Sequence, residues 1–241
     1  MNTVNCQIIS LISLTPHVYK VLLKPSQKVD FIPGQYLNFI MSDKDKRPFS
    51  IASSPNSDLI ELQIGAFIAD SYPMQVIERI KASQANNEPV AVEIPLGNAQ
   101  LRTDSERPLL LLAGGTGFSY IKSMFEYLVE QNSHRHIMVY WGLRELSAAY
   151  ELEETAAMIA KLPYANFIPV IENVAENTGK NDVWQGKTGL VHQAVMHDII
   201  SLEPYDIYLA GRFDMVGLIR SDFIEHGALV EHMYADAFAF I

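Results

Sequence analysis

The chain has 241 residues, 49% hydrophobic and 19% charged, with a formal net charge of −10 and one cysteine. That is an ordinary globular composition, with apolar material for one large domain or two of ordinary size. The acidic balance argues against nucleic acid as a general partner, the lone Cys6 excludes an internal disulfide or a cysteine metal cluster, and no apolar run approaches the roughly eighteen residues of a membrane span. The opening Met1-Asn2-Thr3-Val4-Asn5-Cys6 carries neither a basic segment nor a small-residue cleavage site. It does not read as a signal peptide, and the expected compartment is the cytoplasm.

The first hundred residues read as short strands at 5–14, 18–24, 36–41, 60–64 and 90–94, rich in Val, Ile, Leu and Tyr. Turn formers separate them: Pro16, Pro25-Ser26, Pro33-Gly34, Ser54-Pro55-Asn56-Ser57 and Glu88-Pro89. Such spacing favours an antiparallel barrel or sandwich. Cys6, alternating with Val4 and Ile8, reads as a small core residue. One helix is expected at 74–82, with Val76, Ile77 and Ile80 on a single face.

From Pro108 the rhythm changes. A strand at 109–113, a helix at 120–130 and a strand at 136–141 are followed by a helix at 151–161 and a strand at 167–171. A helix at 190–200, a strand at 206–210 and a helix at 215–226 complete the series. Alternating strands and helices imply βαβ units on a parallel sheet. The expected architecture is an N-terminal antiparallel β-barrel, residues 1–100, followed by a Rossmann-like α/β domain, residues 101–241. The charged stretch 101–107 is the boundary. The seven histidines show no ligand spacing, so no metal is expected.

Between the buried strand at 109–113 and the helix after it lies Ala113-Gly114-Gly115-Thr116-Gly117-Phe118-Ser119. Strand, glycine turn and helix N-terminus converge on one point, a natural seat for a phosphate. The spacing is not G-x-G-x-x-G, and a tight turn without a ligand is the alternative. Three more segments bear on it. Arg47-Pro48-Phe49-Ser50 offers an extended backbone and a hydroxyl suited to the edge of a planar heterocycle such as a flavin. An edge strand after a turn is the plainer reading. Tyr140-Trp141-Gly142-Leu143-Arg144 ends the second strand of the α/β domain, where such domains meet a ribose. Ala210-Gly211-Arg212-Phe213-Asp214-Met215 joins a later strand to a helix at the same edge.

In this order the four segments resemble the ferredoxin–NADP⁺ reductase superfamily over nearly the whole chain. Within it they are most similar to bacterial NAD(P)H:flavin reductases, including those of luminous bacteria. Phe31-x-Pro33-Gly34-Gln35-Tyr36, Asp45-Lys46-Arg47-Pro48-Phe49-Ser50, Ile64-Gly65-Ala66 and the terminal Asp236-Ala237-Phe238-Ala239-Phe240 share in the likeness. The resemblance implies that Arg47, Pro48, Phe49 and Ser50 cradle the isoalloxazine ring, with Ser50 catalytic beside the hydride-accepting nitrogen. Gly65 and Ala66 would lie at the flavin edge. Gly114, Gly115, Thr116 and Gly117 would accommodate the nicotinamide nucleotide, and Phe118 and Ser119 would start the next helix. Trp141, Gly142 and Arg144 would line the ribose and phosphate region, and Gly211, Arg212 and Asp214 the lip where nicotinamide meets flavin.

Two departures from the wider superfamily matter. Asp70 and the apolar residues of 64–69 offer nothing to a pyrophosphate, which favours a loosely bound flavin. Ala210 stands where many relatives carry cysteine before the glycine. The expected function is reduction of free riboflavin, FMN or FAD by NADH or NADPH, by direct hydride transfer in a cleft between the domains. The reduced flavin would serve a monooxygenase, ferric complexes or a luciferase. A reductase with tightly bound flavin and a protein electron partner is the alternative, and a non-catalytic nucleotide-binding module a third reading. Arg144 and Glu145 together leave NADH against NADPH undecided, and use of both is expected.

Overall fold

Alternation builds the first strand: in β1 (Asn2–Thr15), Val4, Cys6 and Ile8 are buried and the residues between them exposed. The structure, a computed structural model, describes residues 2–173, 184 and 186–241. It divides into two compact units, one formed by Met1–Leu101 with Lys122–Tyr127, the other by Arg102–Ile121 with Leu128–Ile241.

In the first unit β2 (Val18–Pro25), β3 (Tyr36–Ser42), β4 (Asp45–Ser50) and β5 (Ile60–Gly65) precede α1 (Tyr72–Ala85) and β6 (Val90–Leu96). All pairings are antiparallel, in the order β4-β3-β6-β1-β2-β5. Pro48, which cannot donate to a ladder, sits in β4 at the end of that order. Beyond β4, Ala52 N–H donates to Glu61 O (2.8 Å) and Glu61 N–H to Ser53 Oγ (3.0 Å). The chain leaving one end of the sheet therefore bonds to the strand at the other, which curls the sheet toward a barrel. Leu23, Leu37, Phe39, Leu62 and Ile64 fill its core, with Val76, Ile77 and Ile80 of α1 packed on them. α1 is longer than the apolar stripe suggested, since Pro73 presets its first turn. The Cys6 thiol is buried, and burial pushes its pKa up to about 12, which leaves it unreactive.

The second unit runs β7 (Leu109–Gly114), α2 (Phe118–Glu130), β8 (Ile137–Leu143), α3 (Leu152–Ile159) and β9 (Ala165–Ile171). It continues with β10 (Lys187–Thr188), α4 (Val191–Asp198), β11 (Asp206–Ala210), α5 (Phe213–Glu225) and β12 (Met233–Tyr234). Its sheet is parallel, in the order β10-β9-β8-β7-β11-β12. Leu109 through Ala113 are fully buried, as a central parallel strand covered on both faces requires. Residues Lys122–Tyr127 of α2 are counted with the first unit, where Lys122 Nζ lies 3.2 Å from Glu61 and Ser123 Oγ donates to Ser53 O (2.7 Å).

Several expectations need correction. α4 stops at Asp198, not 200, because Ile199 is extended and Ile200 is almost fully exposed. α3 is shorter than 151–161, and α5 begins at Phe213. β10 and β12, two residues each, are additional strands. The charged boundary stretch lies in the second unit from Arg102, as the expected domain 101–241 has it but for Leu101. There Arg135 donates to the carbonyls of Arg102 and Arg107, while Asp206, fully buried at the start of β11, meets Arg135 (3.0 Å), Arg107 (3.3 Å) and His232 (2.9 Å). His192 is buried against Asp222. Among the described residues no helix is long and apolar enough to cross a membrane, and no three His, Cys, Asp or Glu residues group to hold a metal ion.

Candidate active site

Parallel register sets the carboxyl ends of three strands side by side. Ala113 of β7 lies opposite Trp141 of β8 on one side and Ala210 of β11 on the other, and Gly114 lies opposite Gly142. Strand order reverses at β7, with β8 and β9 to one side and β11 and β12 to the other. Open parallel sheets bind ligands at such a switch point.

The turn there is built by glycine. Gly115–Gly117 forms one 3₁₀ turn before α2, and Gly115 adopts φ +53°, exposed, with nothing near its Cβ position. A Cβ on Gly117 would lie 2.6 Å from Ala210 O, and one on Gly114 would lie 2.4 Å from Met215 Sδ. At Gly117 the β7–α2 and β11–α5 turns therefore interlock backbone to backbone at a distance that only glycine allows, while at Gly114 it is the Met215 side chain that closes in. Gly142 is similarly constrained by α4, its Cβ position lying 2.8 Å from Val191 Cβ.

Trp141 is buried and holds this turn from beneath. Its Nε1 donates to Gly115 O (2.9 Å), and its ring stacks on Phe118 (centroids 4.1 Å apart) and meets Tyr150 edge-on. Phe118 and Ser119 are buried too. These three residues shape the turn from inside, while Gly114, Thr116, Gly117, Gly142 and Gly211 remain half-buried and Arg144, Arg212 and Asp214 exposed. Asp214 opens α5, paired with Arg212. Its carboxyl is held below the usual range, chiefly by that bond and then by the Met215 N–H, consistent with an anion at a helix N-terminus.

In the first unit β4 divides its quartet by strand alternation. Arg47 and Phe49 lie opposite the core residues Phe39 and Leu37, whereas Pro48 and Ser50 lie opposite Asn38 and Tyr36 on the other face. Arg47 is buried and spent on the protein. Nε and Nη2 donate to the two oxygens of Asp45 (2.8 and 2.6 Å), Nη1 to Tyr72 O (2.7 Å), and Nη2 again to Gln75 Oε1 (2.8 Å). The Tyr72 ring runs nearly parallel to that of Phe49 (6.0 Å, 16°), and its hydroxyl donates to Pro48 O (3.3 Å). Burial lifts the Tyr72 pKa to about 12. Gly65 ends β5, and Ala66, buried, donates its N–H to His17 O (2.7 Å). Phe67 and Ile68 beyond it are 64% and 71% exposed, an apolar rim with no donor side chain for a phosphate.

Residues 111–221 match the family described as the oxidoreductase NAD-binding domain. An NAD(P)H-flavin reductase of Vibrio harveyi is 43% identical over 242 residues, which covers 99% of this chain and 100% of that protein. The chain belongs to the NAD(P)H-flavin reductase family. A second NAD(P)H-flavin reductase, from Aliivibrio fischeri, is 41% identical over 99% of both chains. Among solved structures, a ferredoxin reductase in carbazole 1,9a-dioxygenase superposes with a TM-score of 0.82 at 21% identity, covering 98% of this chain and 69% of that one. Ferredoxin-NADP⁺ reductase from Plasmodium falciparum gives 0.75 at 17% identity, over 97% of this chain and 95% of that one. These two likenesses show the two-domain fold.

Sequence reasoning about this flavin reductase family member left four neighbours of the expected site residues without a role: Asp45, Tyr72, Gln75 and Met215. Asp45 had a signal, since two residues before Arg47 on a strand is the same face. Gln75 and Tyr72 reach β4 only through the tertiary placement of α1, and Met215 reaches Gly114 only through the β7–β11 pairing.

Proposed function

We propose that this chain oxidises NADH or NADPH and reduces free riboflavin, FMN or FAD, with the flavin entering and leaving as a loosely held substrate. The observation that carries this reading is full-length similarity, above 40% identity, to two proteins named for that activity. The site chemistry agrees with it. The interlocked glycine turns fit a nicotinamide nucleotide, because Gly115 leaves its side open at the start of α2 and no Cβ fills the cradle. When bound, the nicotinamide supplies a hydride from C4 to flavin N5.

What falls to the protein is placement and electrostatics. Ser50, on the outer face of β4, is the hydroxyl to donate to the accepting nitrogen, and Gly65 and Ala66 allow close approach to the ring edge. Gly211, Arg212 and Asp214 form the lip of the nicotinamide side, while Trp141, Phe118 and Ser119 hold the glycine turn in shape. At the end of β8 the Glu145 carboxylate accepts from Ser147 Oγ (3.3 Å), and Arg144 is exposed beside it. A carboxylate engaged in this way and an exposed guanidinium together suit use of both NADH and NADPH. Monooxygenases, ferric complexes or a luciferase would consume the product, and the cytoplasm is the proposed compartment.

The test is steady-state oxidation of NADH and of NADPH with riboflavin, FMN and FAD, on protein first assayed for bound flavin by absorbance. Turnover that requires added flavin is expected. A protein that stays yellow through gel filtration and turns over without added flavin would overturn the reading.

A further inference from the structure

Just past Ser50 the chain changes partners. Ser50 is the last residue of β4 and lies opposite Tyr36 of β3, and Ile51 N–H still donates to Gln35 O (3.2 Å), one residue ahead of β3. The next residue, Ala52, already bonds to Glu61 of β5. β3 and β5 are not neighbours in the sheet, so Ser50 stands at the start of a crossing from one to the other. Where its backbone rests depends on how the far end of that crossing is fixed.

Side chains fix the far end, where no ladder does. Ile51, Ala52, Ser53 and Ser54 are all buried, and buried backbone groups need partners. Ser53 O accepts from Ser123 Oγ (2.7 Å), and Ser54 N–H donates to Glu126 Oε2 (3.0 Å). Both partners stand on α2, in the segment Lys122–Tyr127 that belongs to the first unit. Spacings of three and four residues put Ser123 and Lys122 beside Glu126 on the helix surface. Lys122 bonds to Glu126 and lies 3.2 Å from Glu61, which also meets Lys20 (3.5 Å) and accepts from Gln63 Nε2 (2.9 Å). The Glu126 carboxyl is thus held between an ammonium group and the Ser54 N–H, and cannot swing away from the crossing. Hydride transfer punishes misplacement on the scale of an ångström, and a serine hydroxyl is aimed only as well as its backbone is fixed. Resting on the assignment of Ser50 to flavin, we propose that Ser123 and Glu126 are positioning residues that pin the 51–54 crossing and so set where the Ser50 hydroxyl is presented.

The experiment is a double-mutant cycle on riboflavin reduction at saturating NADH, with Ser50→Ala on one side and Ser123→Ala/Glu126→Ala on the other. The α2 pair alone should lower kcat/KM for riboflavin about fivefold and leave KM for NADH within about twofold. In the Ser50→Ala background the same pair should cost less than about twofold, because the hydroxyl it positions is gone. Glu126→Gln, which keeps an oxygen for the Ser54 N–H, should lose much less than Glu126→Ala. Costs that add in full across the cycle overturn the proposal, as does a pair that changes nothing or raises KM for NADH as much as KM for riboflavin. If the pair lacks a cooperative melt, Ser123→Ala alone, one hydroxyl fewer, is put through the same cycle. Ser50→Ala without effect overturns the assignment of Ser50 and the proposal together. Wild-type protein that reduces none of the flavins would sink the proposed function instead, and the same cycle on riboflavin Kd, from quenching of flavin fluorescence, then decides the positioning.

Discussion

At the scale of single residues the two halves of the proposed site make different demands. Ser50 offers one hydroxyl, and Ser50→Ala should lower kcat/KM for riboflavin roughly tenfold, the worth of one well-placed hydrogen bond; unchanged riboflavin kinetics would remove it from the site. Gly117 offers absence. A methyl group there would lie 2.6 Å from the backbone oxygen of Ala210, so β11 or α2 must move. Gly117→Ala should cost about 1–3 kcal/mol in urea unfolding and raise KM for NADH more than KM for riboflavin. The glycines were legible as a turn that could seat a phosphate, but the packing that demands them was not, because the atoms they avoid lie on β11 and α5, nearly a hundred residues away. Trp141 and Phe118 show the opposite case. Trp141 was expected to line the ribose and phosphate region and Phe118 to start the next helix, and the structure sets both beneath the turn, where an indole N–H fixes Gly115 O.

At the scale of elements, β11 matched its expected bounds residue for residue, because a buried parallel strand between polar turns leaves little choice. α4 did not, since Ile199 and Ile200 continue its apolar run while the backbone has already turned extended. β10 and β12 are too short to carry any period and exist only through their partners. The edge position of β4, the plainer of two readings of Arg47-Pro48-Phe49-Ser50, is what the structure has, and strand alternation divides the quartet between two faces. The hub at Asp206 was invisible because Arg107, Arg135 and His232 come from three separate stretches. Asp206→Asn should destabilise the second unit by about 3 kcal/mol, because Arg135, nearly buried, loses its counter-charge. Urea unfolding would measure this, and a loss below about 1 kcal/mol would show that Asp206 does not anchor the strand.

For the molecule as a whole, stability should fall on the acid side in two stages. Burial lowers the His192 pKa below 6.5, with Asp222 partly opposing, so its contribution is complete above pH 6.5 and is lost as pH falls through the lower folded value. Asp198 sits low although burial pushes it up, because Lys187, Tyr140 and His197 bond to it; Glu93 is held low chiefly by Lys46. These two contribute fully above pH 4.5 and are lost below it. Glu126 runs the other way, since burial raises its pKa and its charged form is a standing cost at neutral pH. Thermal melts from pH 8 to 3 should show a plateau and then both declines, and His192→Gln should flatten the first. The first unit is also discontinuous, and that bears on synthesis. When Leu101 leaves the ribosome Glu61 has Lys20 (3.5 Å) within reach, while Lys122, beyond β7, has still to emerge. The nascent barrel must wait with an under-neutralised acid and an unfilled flank until its second segment, Lys122–Tyr127, emerges, so a fragment ending at Leu101 should melt well below the whole protein, and the gene cannot be cut at its apparent seam.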